Sequence, residues 1–221
     1  DIGGIGFSAD GRQVYDEGLY MPILPLAREG QMDESIMEIV RANVREPIQV
    51  EGDLYSLMAC NEIGCRRLVE MMDEFELEDL DELGAYMVEH SHRAMLDEIA
   101  KLPKGTHHNA MRVDGYDKPL DLVAALTIAD DGIYVDFAGT TGVSNFGINV
   151  PITYTQAYAS FGVRCLVGPS VPNNAGSLSA VKVTAPEGTI LNAPHPCAVA
   201  ARHITGQMLP DVVMGALHKA V

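Results

Sequence analysis

No stretch of the 221 residues is apolar for long enough to span a bilayer, which takes about 20 residues. Basic residues are scarce. Fifteen Lys and Arg stand against 31 Asp and Glu, a formal net charge of −16. A phosphate backbone needs cations to neutralise it, so this balance argues against nucleic acid as a partner, and equally against an anionic membrane surface. Cysteine is sparse as well. Cys60, Cys65, Cys165 and Cys197 form no CxxC pair, and no Cys/His spacing matches a structural zinc site. No signal peptide is visible, so reduced thiols and a cytoplasmic location are expected. The chain also lacks GxxxxGK[ST], a GxGxxG between strand and helix, a Gly-x-Ser-x-Gly elbow and a His-Glu-x-x-His.

What remains is ordinary globular composition, with 47% hydrophobic and 21% charged residues, which excludes a disordered tail, a fibre and a disulfide-dense toxin. The length suits one large domain or two small ones. The chain opens at Asp1, without Met, inside the glycine-rich turn Asp1-Ile2-Gly3-Gly4, so a fragment of a larger subunit is expected. Charge is uneven. Residues 29–101 hold 19 acidic and 6 basic side chains, a net charge of −13, which reads as the solvated faces of helices.

Three segments follow from the patterning. Residues 1–30 read as loop and short strand, 31–103 as an acidic helical segment, and 104–221 as a β-rich α+β segment. The fold class is therefore α+β, helices first and a mixed β-rich part after them. Asp33 is a good N-cap for a first helix whose apolar face is Ile36, Met37, Ile39, Val40 and Val44, and Pro47 should stop it. A second helix fits 53–75, striped by Leu54, Leu57, Met58, Leu68, Met71, Met72 and Phe75. A third fits 79–101, with Leu80, Leu83, Met87, Ala94, Met95 and Ile99, ended by Pro103 and Gly105. Residues 120–137 alternate around Asp130-Asp131-Gly132, which predicts a β-hairpin. A strand is expected at 181–184, and helices at 155–167 and 199–220, the latter interrupted by Gly206 and Pro210.

Few residues stand out as chemistry. The Asp1-Ile2-Gly3-Gly4 turn could present backbone N–H groups to an anion, or simply position the Asp1 carboxylate. Tyr15-Asp16-Glu17-Gly18 places two carboxylates beside a glycine in a loop, which suits a hard metal but also describes a common solvated turn. His107 and His108 point to opposite sides of any extended segment, and a surface loop is the expected reading. His195, between two prolines, and His203 flank an apolar run. Each could be a general base, a ligand or a hydrogen-bonded structural histidine.

Taken in order, several stretches resemble the hydantoinase B / 5-oxoprolinase family. They are Asp1-Ile2-Gly3-Gly4, Tyr15-Asp16-Glu17-Gly18-Leu19-Tyr20-Met21-Pro22, Asn43-Val44-Arg45-Glu46-Pro47, Gly64-Cys65-Arg66-Arg67-Leu68 and Leu102-Pro103-Lys104-Gly105. Val135-Asp136-Phe137-Ala138-Gly139-Thr140 is the clearest. Asn149-Val150-Pro151, Val171-Pro172-Asn173-Asn174-Ala175-Gly176 and Pro186-Glu187-Gly188-Thr189-Ile190-Leu191-Asn192 follow it. The chain departs from the family at His92, where Glu commonly follows Ser, and at Leu96, where a basic residue is common.

The resemblance implies a division of labour. A hydantoinase A-type partner subunit would bind ATP and Mg and phosphorylate a substrate oxygen, in keeping with the missing P-loop. This chain would handle the activated intermediate, as part of a hetero-oligomer. The resemblance further implies that Asp1 closes a His-x-x-Asp motif and holds a divalent metal, Zn or Mn, with Glu17 the next ligand. Asp136 would orient substrate, and His195 and His203 would serve proton transfer. The first expectation is an ATP-dependent amidohydrolase opening the ring of a hydantoin-like or oxoproline-like cyclic amide. The alternatives are the α subunit of an acetone- or acetophenone-type carboxylase, acting on a ketone, and a scaffold with no metal site.

Overall fold

A computed structural model gives the structure of the chain and describes residues 3–4 and 8–220. Asp1 lies outside the described residues. The N-terminal part builds a small helical arm. A two-stranded hairpin, β1 (Ala27–Arg28) and β2 (Gln31–Met32), leads into α1 (Glu34–Asn43). The Asp33 carboxylate caps α1 as expected, accepting the Ser35 and Ile36 amides at 3.0 and 3.3 Å. Such a cap stabilises a helix by about 1 kcal/mol. Met37 and Val40 are fully buried against Leu54, Leu26 and Met32.

Helix α1 ends at Asn43, ahead of Pro47 as expected, and Pro47 itself opens the next helix, α2 (Pro47–Glu74), because in a first helical turn its missing N–H would have had no partner and its fixed φ already suits the helix. Of the stripe predicted for this helix, Leu54 alone is buried; Met58, Met71 and Met72 are half-buried, and Leu57, Leu68 and Phe75 face solvent. α3 (Asp81–Ala100) changes character along its length. Residues 81–90 are all exposed, whereas Ser91, Met95 and Ile99 are buried.

The second part is a four-stranded sheet with order β3–β4–β5–β6: Gly105–Val113, Leu120–Ala129, Gly132–Asp136 and Val181–Thr184. β3, β4 and β5 are antiparallel, and the β4–β5 turn falls at Asp130-Asp131, with Ile128 opposite Ile133. The surface loop expected at His107-His108 is instead part of β3. His107 lies opposite Leu126 and His108 opposite Ala125, so two histidines sit on opposite faces of a paired strand. β6 returns parallel to β5 through a crossover containing α4 (Ile152–Leu166) and α5 (Ala175–Ser179).

The C-terminal apolar run is two helices, α6 (Arg202–Gly206) and α7 (Leu209–Leu217), with Pro210 in the first turn of α7. Helices α4 and α7 cross where α4 carries Gly162. A Cβ there would lie 2.8 Å from the Pro210 Cα. Beneath them Leu120, Leu122, Ala124, Leu126 and Ile128 of β4 are all buried, alternating with half-exposed neighbours. The larger of these side chains each contribute about 1.5–3 kcal/mol by leaving water.

Candidate active site

Three segments far apart in sequence meet at one edge of the sheet-centred part. Residues 13–14 pair with 196–197. Gln13 and Cys197 form an isolated antiparallel bridge, and the Val14 N–H donates to the Pro196 carbonyl at 3.0 Å. The third segment is 144–150. Gly147 N–H donates to the Ala9 carbonyl, and Ala201 N–H to the Gly147 carbonyl, both at 2.8 Å. Asn149 ties this junction together from inside. It is fully buried. Its side-chain oxygen accepts the Ser144 amide at 2.8 Å, and its side-chain nitrogen donates to the carbonyls of Ser144, Phe146 and Ala198 at 2.9–3.0 Å.

Glu17 lies at the centre of the junction and is only 3% exposed. Its Oε1 accepts two consecutive backbone N–H groups, Val199 and Ala200, the latter at 2.6 Å. Two aligned peptide dipoles complement a carboxylate, so one oxygen is held fixed. The other oxygen, Oε2, is buried and has no hydrogen-bond partner. Gly4 packs directly on the same residue: a Cβ at Gly4 would lie 1.3 Å from the Glu17 carbonyl oxygen, so no side chain fits there. Gly4 therefore rests on the backbone of Glu17.

Glu17 borders a cleft of about 180 Å³ lined also by Ser8, Asp10, Gly11, Asp16 and Ala200. Asp16 closes its own turn by accepting the Arg12 and Gln13 amides at 2.9 and 3.0 Å, and these bonds hold its carboxyl below the usual carboxylate range. Three carboxylates thus share a small opening, which favours a cation or N–H donors over a phosphate. Arg12 is directed elsewhere. Its guanidinium donates to the Asn145 carbonyl and stands 4.0 Å over the Phe146 ring. Arg202 braces the far wall by donating to the Val199 carbonyl at 3.0 Å, and lies 5.7 Å from the Tyr154 ring. Burial, with the neighbouring Tyr158 hydroxyl, pushes the Tyr154 phenol up to about 12, so it stays protonated at neutral pH.

The residues singled out from the sequence do not all gather here. Exposed His195 lies beside Tyr15 and Tyr20, with ring centroids 5.6 and 5.4 Å away, on the loop that runs to the Glu17-binding amides. His203 is half-buried in α6, one residue beyond Arg202. Asp136 ends β5 at an exposed position. Its Oδ1 accepts the Ala138 amide at 3.1 Å and the Thr184 hydroxyl at 3.3 Å, so its bonds close the loop after β5. The following Thr140 and Thr141 hydroxyls serve the β4 backbone at Val123 and Asp121. Among the described residues no group of three or more His, Cys, Asp or Glu is placed to hold a metal. Glu17 Oε2 nevertheless has the character of a ligand atom, being a buried carboxylate oxygen left unsatisfied. Asn149 and the two amides at 199 and 200 were missed from the sequence. Asn149 stands there only within the stretch Asn149-Val150-Pro151, with no role attached to it, and backbone donors carry no residue signature.

The architecture is α+β, with an acidic cleft at a loop junction anchored by backbone amides. The model of the Hydantoinase B/oxoprolinase family matches residues 1–221, and the chain belongs to that family. It is 30% identical over 226 residues to the B subunit of a putative D-/L-hydantoinase from Pseudomonas sp. (strain NS671), covering 96% of this chain and 38% of the relative. It is 25% identical over 228 residues to the beta subunit of the Pseudomonas jessenii caprolactamase, covering 100% of this chain and 39% of the relative. The crystal structure of the ATP-dependent caprolactamase from that organism superposes with a TM-score of 0.90 at 24% identity, over 100% of this chain and 39% of the other. A nucleotide-free acetone carboxylase superposes with a TM-score of 0.75 at 17% identity, over 91% of this chain and 29% of the other. The chain thus spans about two fifths of the length of these two relatives. The last two likenesses show a shared fold. Among the described residues no helix is long and apolar enough to cross a membrane.

Proposed function

We propose that this chain is the ring-opening part of an ATP-dependent cyclic amidohydrolase, working with a hydantoinase A-type subunit that supplies phosphoryl activation. The observation that carries the reading is Glu17, a residue of the cleft lining, with one carboxylate oxygen fixed by two backbone amides and the other buried and unpaired. The substrate class is a hydantoin-like or oxoproline-like ring. The hydantoinase and caprolactamase relatives support amide over ketone chemistry, and the negative cleft suits a ring bearing N–H groups better than bicarbonate.

The partner would transfer the γ-phosphoryl group of ATP to the amide oxygen, which turns a poor leaving group into a good one. Water then adds to the carbon, the ring C–N bond breaks with a proton delivered to nitrogen, and hydrolysis of the resulting acyl phosphate releases phosphate. In this chain Glu17 and Asp1 would hold a divalent metal, Zn or Mn, which when bound supplies Lewis acidity towards the developing oxyanion. Asp16, kept ionised by the Arg12 and Gln13 amides, and Asp10 would orient the ring N–H groups. His195, on the loop leading to the Glu17-binding amides, would deliver the proton to nitrogen. Asp136 and His203 carry no step in this proposal.

The test is ATP hydrolysis by the chain co-purified with its A-type partner, measured with a panel of cyclic amides and, separately, with small ketones plus bicarbonate. Stimulation by cyclic amides alone is expected. Stimulation by ketone plus bicarbonate alone would replace the reading with a carboxylase, and none by either, with no bound metal, with a scaffold. Glu17→Gln should lower cyclic-amide turnover by about 100-fold or more and lower bound metal in parallel.

A further inference from the structure

The amidohydrolase proposal leaves α2 and the first half of α3 without a task, and their surface does not suit open water. Every residue from 59 to 70 and from 81 to 90 has an exposed surface, although the Val88 backbone packs closely on Gly176 of α5. An isolated helix is marginal in water, and Gly64 and Gly84 each cost about 1 kcal/mol relative to Ala, so propensity does not hold these turns in place. The exposed side chains include Leu57, Ile63, Leu68, Val69 and Tyr86. Beside them the β1–β2 hairpin and α2 enclose a groove of about 450 Å³, lined by Leu26, Leu57, Met58 and Cys65, with Glu62 at its edge. The charge around this apolar surface has one sign. Residues 47–90 hold 12 acidic and 2 basic side chains.

An apolar ridge in a strongly negative field selects its occupant. A second copy of this chain would bring one such field against another, at a cost that like charges make large once water is excluded. A surface with an apolar centre and a Lys/Arg rim would satisfy both the ridge and the carboxylates. We infer that the arm formed by α2 and the first half of α3 is the docking surface for the A-type ATP-binding subunit, whose contact face is apolar with a basic rim. This inference rests on the proposed function in one respect, that such a partner exists.

Cys60 and Cys65 lie on the exposed α2 surface, and Cys165 is exposed on α4, outside the arm. The experiment uses the protein as its gene encodes it, alone and in complex with the A-type subunit. Alkylation of each cysteine by N-ethylmaleimide is followed by mass spectrometry, with Cys165 as reference. In the complex Cys60 and Cys65 should react at least about tenfold more slowly than in the protein alone. The double variant Leu57→Glu/Leu68→Glu should weaken association at least about tenfold while leaving the thermal midpoint of the isolated protein unchanged. Raising salt from 0.05 to 0.5 M should also loosen the complex, by about tenfold. Equal reactivity in a complex that does form would overturn the docking surface and leave the amidohydrolase reading standing. Protection already present in the isolated protein would overturn it too. Protection that grows with concentration would mean a second copy, and protection independent of concentration would mean cover by its own chain. Failure to form any complex with the A-type subunit would remove both proposals.

Discussion

In β4 alternate residues from Leu120 to Ile128 are buried, whereas in α2 no residue from 59 to 70 is. The two regions both carry apolar stripes in sequence, so hydrophobicity alone does not decide which side chains leave water. β4 has a strand on each side and helices over one face, and its pattern of period two is satisfied within the chain. Helix α2 packs on α1 near its start, borders the β1–β2 hairpin as far as Cys65, and is exposed at every residue from 59 to 70. A stripe at helical spacing therefore does not by itself decide whether a face leaves water within this chain. α3 shows both cases in one element: Met95 and Ile99 are sealed in the main core, while Leu83 and Met87 face out.

The contrast can be broken most forcefully by truncation. Leu126→Ala should cost about 2–5 kcal/mol, because a fully buried side chain leaves a cavity beneath α4 and α7. Leu68→Ala in the arm should change stability of the isolated chain by less than about 0.5 kcal/mol. Urea unfolding of the two variants measures the difference, and equal losses would mean that the arm is packed in solution.

A second substitution asks whether the loop junction depends on its buried polar centre as the sheet depends on its apolar one. Asn149→Ala strips four hydrogen-bonded contacts from a dry site and should cost about 2–4 kcal/mol. Faster hydrogen exchange at the Val199 and Ala200 amides should accompany it, with β4 amides protected to the same degree as before.

The smallest effect sharpens the comparison at the surface. The Asp16 carboxyl is held below its unfolded value by the Arg12 and Gln13 amides. Its contribution is therefore complete above the unfolded pKa of about 3.9, and is lost as pH falls through the lower folded value. Asp16→Asn should flatten the stability profile below about pH 4 and leave its shape near neutrality unchanged, as acid titration of the unfolding midpoint will show.

The sequence is most informative where the signal is local. Asp33 announces α1 because a capping carboxylate and the residues it serves are neighbours, and the β4–β5 hairpin is legible because alternation and Asp130-Asp131-Gly132 lie together. β3 is hidden because a half-buried strand can alternate with Thr106, His108 and Arg112 as its exposed members, and such residues read as loop. Pro47 marks the end of α1 correctly but hides the start of α2, expected only at 53, because one residue type both follows helices and begins them. At the site, Glu17 can be singled out as a carboxylate beside a glycine, and by family resemblance. What makes it unusual is a pair of amides 182 and 183 residues away, and distance along the chain erases that information.

That separation has a consequence for the order in which the molecule is made. Closing a loop of some 180 residues costs about 2.6 kcal/mol more in chain entropy than closing one of 10, by the logarithmic rule for flexible chains. The contact between Glu17 and the amides at 199 and 200 is thus an expensive one to form early, and becomes cheap only after the sheet and its helices have brought the segments near. A folding intermediate with an intact hairpin and an open junction would have its secondary structure in place but no assembled cleft. The cleft would arrive with the last closure, so an incompletely folded chain would present its helices and hairpin without a half-built version of the Glu17 junction.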